Sequence, residues 1–255
     1  MLAVISPAKT LDFESTCPPH KASECDYLAS ADELITLLRK KTRAQLAELM
    51  SISPALADLN YGRYSAWSLP LTEDNARAAI FAFKGDVYTG LTLDTYSSAD
   101  LRFAQKHLRI LSGLYGLLRP LDLMSPYRLE MGTALKTKQG KNLYEFWGGG
   151  LTEGVNAALT KSGSAVLVNL ASQEYFKAVP TGRLEGRIVT PHFREKKNGE
   201  YKIVSFFAKK ARGMMVDYII KNAITDPEPM KSFDTDGYRF NPALGDSDNW
   251  VFTRG

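Results

Sequence analysis

ILSGLYGLLRPLDLMSPYRLEMG, residues 110–132, supports two readings with different architectures. In the first, the helical pattern of SADLRFAQKHLRIL ahead of it is followed by a short apolar hairpin and a second short helix. That is a helix-hairpin-helix-like element: Gly113 and Gly116 let the main chain approach a phosphate, and Arg109, Arg119 and Arg128 supply fixed positive charge. Gly113 and Gly116 are three apart, whereas the usual hairpin of this kind has its glycines two apart. In the second reading RILSGL is a strand, the glycines serve a structural turn, and Pro120 and Pro126 shape a loop.

The flanking pattern is that of a mixed α/β (α+β) protein. LAVI (2–5) and SAVLVNLAS (164–172) are buried strands, and RIVTPHFREKKNGEYKIVSFF (187–207) is a hairpin turning at Asn198-Gly199. Helical spacing runs through residues 31–67 with breaks near Thr42 and Ser53-Pro54, which predicts two or three short helices. Thr72 is placed to cap a helix over EDNARAAI, NLYEFWGGGLTEGVNAAL is helical despite its glycines, and a helix opens at Ala208. No repeat, low-complexity tract or linker divides the chain, so a single compact domain over residues 1–255 is expected, a mixed sheet with flanking helices.

Composition narrows the function classes. Hydrophobic residues make up 44% and charged residues 24%, with no apolar run long enough to span a bilayer and no secretory leader, so a cytoplasmic protein without a membrane partner is expected. Cys17 and Cys25 give no disulfide framework, and with His20 they match no standard metal spacing. His107 and His192 lack a nucleophile partner, and no GxGxxG or triphosphate loop is present, so no metal and no cofactor are expected.

The formal charge of +4 is modest, and its distribution carries more than its total. Lys209, Lys210 and Arg212 fall in the first turns of the helix opening at Ala208, where the macrodipole disfavours cations, and a bound phosphate would offset that cost. Lys9, Lys84 and Lys177 follow strands and are secondary anion-binding candidates. Lys84, Asp86, Glu130 and Glu174 are candidates for acid/base chemistry, and Tyr88, Asp122 and Ser172 sit in the same kind of strand-end or loop position.

ISPAKTLDF, AFKGDVYTGL, HLRILSGLYGLLRPLDLMSPYRLEMG, NLASQEYFK and SFFAKKARGMM together resemble the YaaA family of bacterial peroxide-stress resistance proteins, over essentially the whole chain. The resemblance implies a cytoplasmic protein that limits iron-dependent oxidative damage by hydrogen peroxide and binds double-stranded DNA through a helix-hairpin-helix element and a basic cleft. Arg109, Gly113, Gly116, Arg119, Arg128, Lys209, Lys210 and Arg212 are the expected phosphate contacts, independent of base sequence. The rival expectation is an enzyme acting on a small phosphorylated or nucleotide-like substrate, a small anionic ligand in a strand-end pocket. Convergence of the polar strings in one place would favour the second.

Overall fold

Residues Leu2–Ile5 (β1) are apolar without alternation, as a strand covered on both faces must be, and all four are buried. The computed structural model describes all residues, Met1–Gly255. After β1 come β2 (Thr10–Leu11), α1 (Leu28–Arg39), α2 (Arg43–Met50), α3 (Pro54–Ala66), β3 (Arg77–Ala78), α4 (Ala79–Ala82) and β4 (Phe83–Lys84). The middle of the chain forms α5 (Ser98–His107), β5 (Leu108–Ser112), β6 (Gly116–Leu118), β7 (Leu123–Met124), α6 (Leu143–Trp147) and α7 (Gly150–Ser162). The last third forms β8 (Val166–Leu170), α8 (Gln173–Phe176), β9 (Arg187–Lys197), β10 (Glu200–Lys202), α9 (Ser205–Lys221), β11 (Arg239–Phe240) and β12 (Asn249–Arg254).

The main sheet runs β11-β12-β9-β8-β1-β5-β6, with β10 on β9. β12, β9, β8, β1 and β5 are mutually parallel, and the antiparallel β11 and β6 flank them. The chain leaves β1 for β5 on one side and later returns to β8 on the other, so the strand order reverses about β1. One hydrophobic cluster of 67 buried residues extends from Met1 to Phe252, which leaves no seam between domains.

The 110–132 stretch is a strand pair. Leu108–Ser112 pairs in parallel with β1 and antiparallel with β6 (Ile110 opposite Leu118, Ser112 opposite Gly116), and the next helix starts only at Leu143. The expected helix-hairpin-helix is therefore a helix followed by a β-hairpin: β1 and β6 take the hydrogen bonds of Leu108–Ser112, and the helix expected to run on to Leu111 stops at His107. Gly113 is required because a Cβ there would collide with the carbonyl oxygen of Leu129. Gly116 has φ +68°, and a Cβ would lie 2.8 Å from the Trp147 ring. Both glycines are buried in the fold they permit.

Other expectations hold or shift for equally local reasons. The three helices of 28–66 break where expected, at the Thr42 capping box and at Ser53, which caps α3 ahead of Pro54. Asn198 and Gly199 both have positive φ and turn β9 into β10. No helix forms over EDNARAAI as a whole. Asn75 closes a turn on Pro70 and Thr72, and the amides of Ala79 and Ile80 donate to the carbonyls of Asp122 and Pro120. Gly148, at φ +47°, separates α6 from α7. α9 opens at Ser205, three residues before the expected start, so Lys209 and Lys210 stand in its second turn and Arg212 in its third, beyond the reach of the dipole's positive end.

Candidate functional site

Parallel strands end together, and the loops leaving β1, β5 and β8 lie on one edge of the sheet. At the centre of that edge the amide of Ser172 donates to Ser6 Oγ at 2.9 Å, and the two hydroxyls are 3.3 Å apart. Glu130 is held between two cations, Lys9 Nζ and an Arg128 amino nitrogen, each at 2.8 Å. Glu174, on α8, accepts from the amide of Gly132 at 3.0 Å. Two acids, a lysine, an arginine and two hydroxyls from distant parts of the chain are thus gathered where the strand order reverses, a habitual ligand position in open α/β sheets.

Aromatic residues form the floor. Tyr88 is buried and donates to Ser6 O at 3.3 Å, Tyr127 shares a 2.6 Å hydrogen bond with Ser112, and Tyr115 meets Tyr127 edge to face at 5.3 Å. Burial raises the pKa of Tyr88, Tyr127 and Tyr175, so all three phenols stay neutral donors at physiological pH. Lys84 and Asp86 sit on the flank. β4 pairs with β2, which begins one residue after Lys9, while Lys84 Nζ reaches Asp12 at 3.0 Å and Asp86 reaches Lys209 at 3.2 Å.

Around α8 the same edge opens into a cavity of about 570 Å³. The ladder between β8 and β9 ends at the Val168–Val189 pair, and from Thr190 onward β9 pairs with β12 instead. The two backbones diverge, and Asn169, Thr190 and His192 line the gap with Gln173, Lys177 and Arg212. Sequence reasoning named Lys177 and Arg212 here but missed the others; the legible signal was Pro191, a residue without an N–H inside a strand pattern.

The expected phosphate contacts do not assemble into one surface. Arg109 is 7% exposed and donates to the carbonyls of Gln105 and Leu108 at 3.0 and 2.7 Å; burial pushes its pKa down to about 10. Arg119 binds Asp122 through Nε at 2.9 Å and through its own amide at 2.7 Å, and also reaches Asp26 at 3.2 Å. Asp122 is fully buried, and burial raises its pKa against the pull of Ser23, which donates at 2.6 Å, and of Arg119. This network lies at the opposite edge of the sheet, where β5 begins and β6 ends. Arg128 belongs to the Glu130 cluster, and Lys209, Lys210 and Arg212 are on α9.

Cys25 is buried and donates to Leu123 O at 2.9 Å, away from Cys17, whose Sγ lies 4.0 Å from His20 Nδ1. No group of three or more His, Cys, Asp or Glu side chains is placed to hold a metal ion. No helix is long and apolar enough to cross a membrane.

The fold and this edge define a mixed α/β protein with a polar cluster at the strand ends. The chain belongs to the family described as peroxide stress protein YaaA, whose pattern it matches over residues 1–244, which supports a role in peroxide stress. It is 54% identical to a UPF0246 protein of Hahella chejuensis and 55% identical to one of Teredinibacter turnerae, in each case over 100% of this chain and 99% of the relative. A third UPF0246 protein, of Cellvibrio japonicus, is 54% identical over 100% of this chain and 98% of its own length.

Proposed function

We propose that the peroxide-stress role is carried by the strand-end edge acting on a small phosphorylated or nucleotide-like substrate. The observation that supports it is convergence: Ser6, Lys9, Tyr88, Arg128, Glu130 and Glu174 come from four separated segments and meet at one end of the sheet. Glu130, held in place by Lys9 and Arg128, acts as the proton acceptor, and the two cations attract an anion. Glu174, in contact with only one amide, is the second proton-transfer group, and the Ser6–Ser172 hydroxyl pair orients the substrate. The test is survival in hydrogen peroxide of a strain lacking the protein and complemented with Glu130→Gln or Glu174→Gln. Folded variants that fail to protect support the site, and full protection by both sinks it.

A second reading, nonspecific binding of duplex DNA, is favoured by the start of α9. Lys209 is exposed there beside the exposed rings of Phe206 and Phe207, and Lys202 projects from the neighbouring β10. Cations interleaved with aromatics suit a nucleic-acid backbone and its bases. On this reading binding weakens steeply with salt, log K falling by about 0.9 per phosphate contacted for each tenfold rise in salt, and a Lys202→Ala/Lys209→Ala pair lowers that slope by roughly two contacts' worth. Salt-independent binding, or none at low salt, removes the DNA reading.

A further inference from the structure

Arg212 stands out for the cavity it lines, which holds two cations and no acid. Its guanidinium is half-buried in the cavity beside α8, makes no hydrogen bond or ion pair, and faces no carboxylate, since none lines that cavity. Lys177, the second cation there, also has no acidic partner and only rests over the Tyr144 ring, 5.0 Å from its centre. Arg119, Arg128 and Arg254 are paired with carboxylates, whereas Arg77 and Arg194 are, like Arg212, half-buried without an ion pair; the cavity that Arg77 lines holds Glu73 and Asp74, and that of Arg212 holds no acid. Burial without a counter-charge disfavours the ionised guanidinium and lowers its pKa, so this arrangement costs stability unless something supplies negative charge.

The remaining lining shows what that something is. Gln173 and Lys177 stand one helical turn apart on the same side of α8, whereas Glu174 turns away to Gly132. Asn169 spends its carbonyl oxygen on the amide of Ala171, which leaves its NH₂ as a donor, and Thr190 adds a hydroxyl. Donors and cations without an acid recognise a phosphate dianion: the planar fork of an arginine takes two of its oxygens, and the lysine and amides take the others. Phe176, Val179 and Pro180 give the cavity an apolar wall, and about 570 Å³ exceeds what phosphate alone fills and suits a phosphate with an organic body. We infer that this cavity is a binding site for the phosphate of a small phosphomonoester, held by Arg212 and Lys177, with its organic part against the apolar wall. The inference rests on the strand-end edge being a ligand site and names the group that anchors the ligand there.

Equilibrium dialysis of the full chain with radiolabelled inorganic phosphate, competed by a nucleoside 5′-monophosphate or by a blunt duplex at equal total phosphate, tests it. The monophosphate is expected to compete better than phosphate itself. Arg212→Met should weaken phosphate binding at least tenfold and Lys177→Met at least threefold, while Lys161→Met, at an exposed cation on α7, leaves it within twofold. Arg212→Lys guards against a folding artefact and should recover part of the affinity. Absence of phosphate binding by the wild-type chain, or undiminished binding by folded Arg212→Met, overturns the site. A duplex that competes better than the monophosphate in an Arg212-dependent way overturns the small ligand in favour of nucleic acid. If Arg212→Met loses phosphate yet still protects cells from peroxide, the pocket stands and the proposed function fails.

Discussion

The two edges of the sheet differ in how completely their charged residues are partnered. At the edge where β5 begins, Arg109, Arg119 and Asp122 are buried or half-buried and saturated by carbonyls, amides and one another. At the edge where β1 and β8 end, Lys9, Glu130 and Arg128 pair with one another, but Glu174 meets a single amide, Lys177 rests only on a ring, and Arg212 meets nothing. A cluster of charge is thus no sign of a site by itself. Unspent hydrogen-bonding capacity is, because a fold that leaves a buried cation without a partner gives up stability that an architectural contact would have kept.

Three substitutions probe that contrast. The largest effect is expected at Asp122→Ala, which removes the buried partner of the half-buried Arg119, and the acceptor of Ser23, at the saturated edge. Breaking such a pair from one side costs about 3–5 kcal/mol, to be read as a fall in the denaturation midpoint with unchanged m-value. A loss under about 1 kcal/mol would show that the edge is not saturated in the sense described. At the other edge Arg212→Met removes an unpaired buried cation, and the protein should be equally stable or more stable by up to about 1 kcal/mol. Marked destabilisation would reveal a partner and break the comparison.

The smallest effect is a pH dependence. His107 is buried, its Nδ1 is 2.8 Å from the Met1 carbonyl, its ring stacks on Phe103 at 4.3 Å, and burial lowers its pKa. The fold therefore prefers the neutral ring. Between the unfolded value, about 6.5, and the lowered folded value the unfolded chain binds more protons, so stability falls as pH drops through that window and is flat above it. His107→Phe should flatten the acid side of the stability profile, below the unfolded value, without moving the alkaline side, as followed by urea denaturation. An unchanged slope would assign the acid sensitivity elsewhere.

Much of the fold was legible because local rules and tertiary pairing agreed: the apolar LAVI strand, the helix breaks near Thr42 and Ser53-Pro54, and the Asn198-Gly199 turn all stand as read. Where they conflicted, pairing won. HLRIL continues a helical face in sequence, yet β1 offered Leu108–Ile110 a parallel partner, and the helix gives way to a strand with no loop between. Gly113 and Gly116 were visible as special but not as interior, since the Leu129 carbonyl and the Trp147 ring that exclude a Cβ come from distant sequence. Lys9, Glu130 and Glu174 could be named as candidates from their positions after strands, but their meeting required strand order. The α8 cavity was the least legible part: it is made by two backbones parting, which one strand's sequence shows only as Pro191.

That parting also sets how the molecule breathes. β9 spends Arg187–Val189 on β8 and Thr190–Glu195 on β12, so β10, β11 and β12 join the rest of the sheet through the first few residues of a single strand. At their end of the common core the packing is aromatic: Phe193 stacks on Phe252 at 5.5 Å and Phe233 meets Phe252 edge to face at 5.8 Å. Two blocks of amide protection follow for native-state hydrogen exchange: β12 and the outer half of β9 exchanging together through one sub-global opening, and β1, β5 and β8 exchanging only on global unfolding. The seam between the blocks is the wall of the Arg212 cavity, so an anchored ligand would slow the outer block's exchange and leave the inner block's pattern as it was.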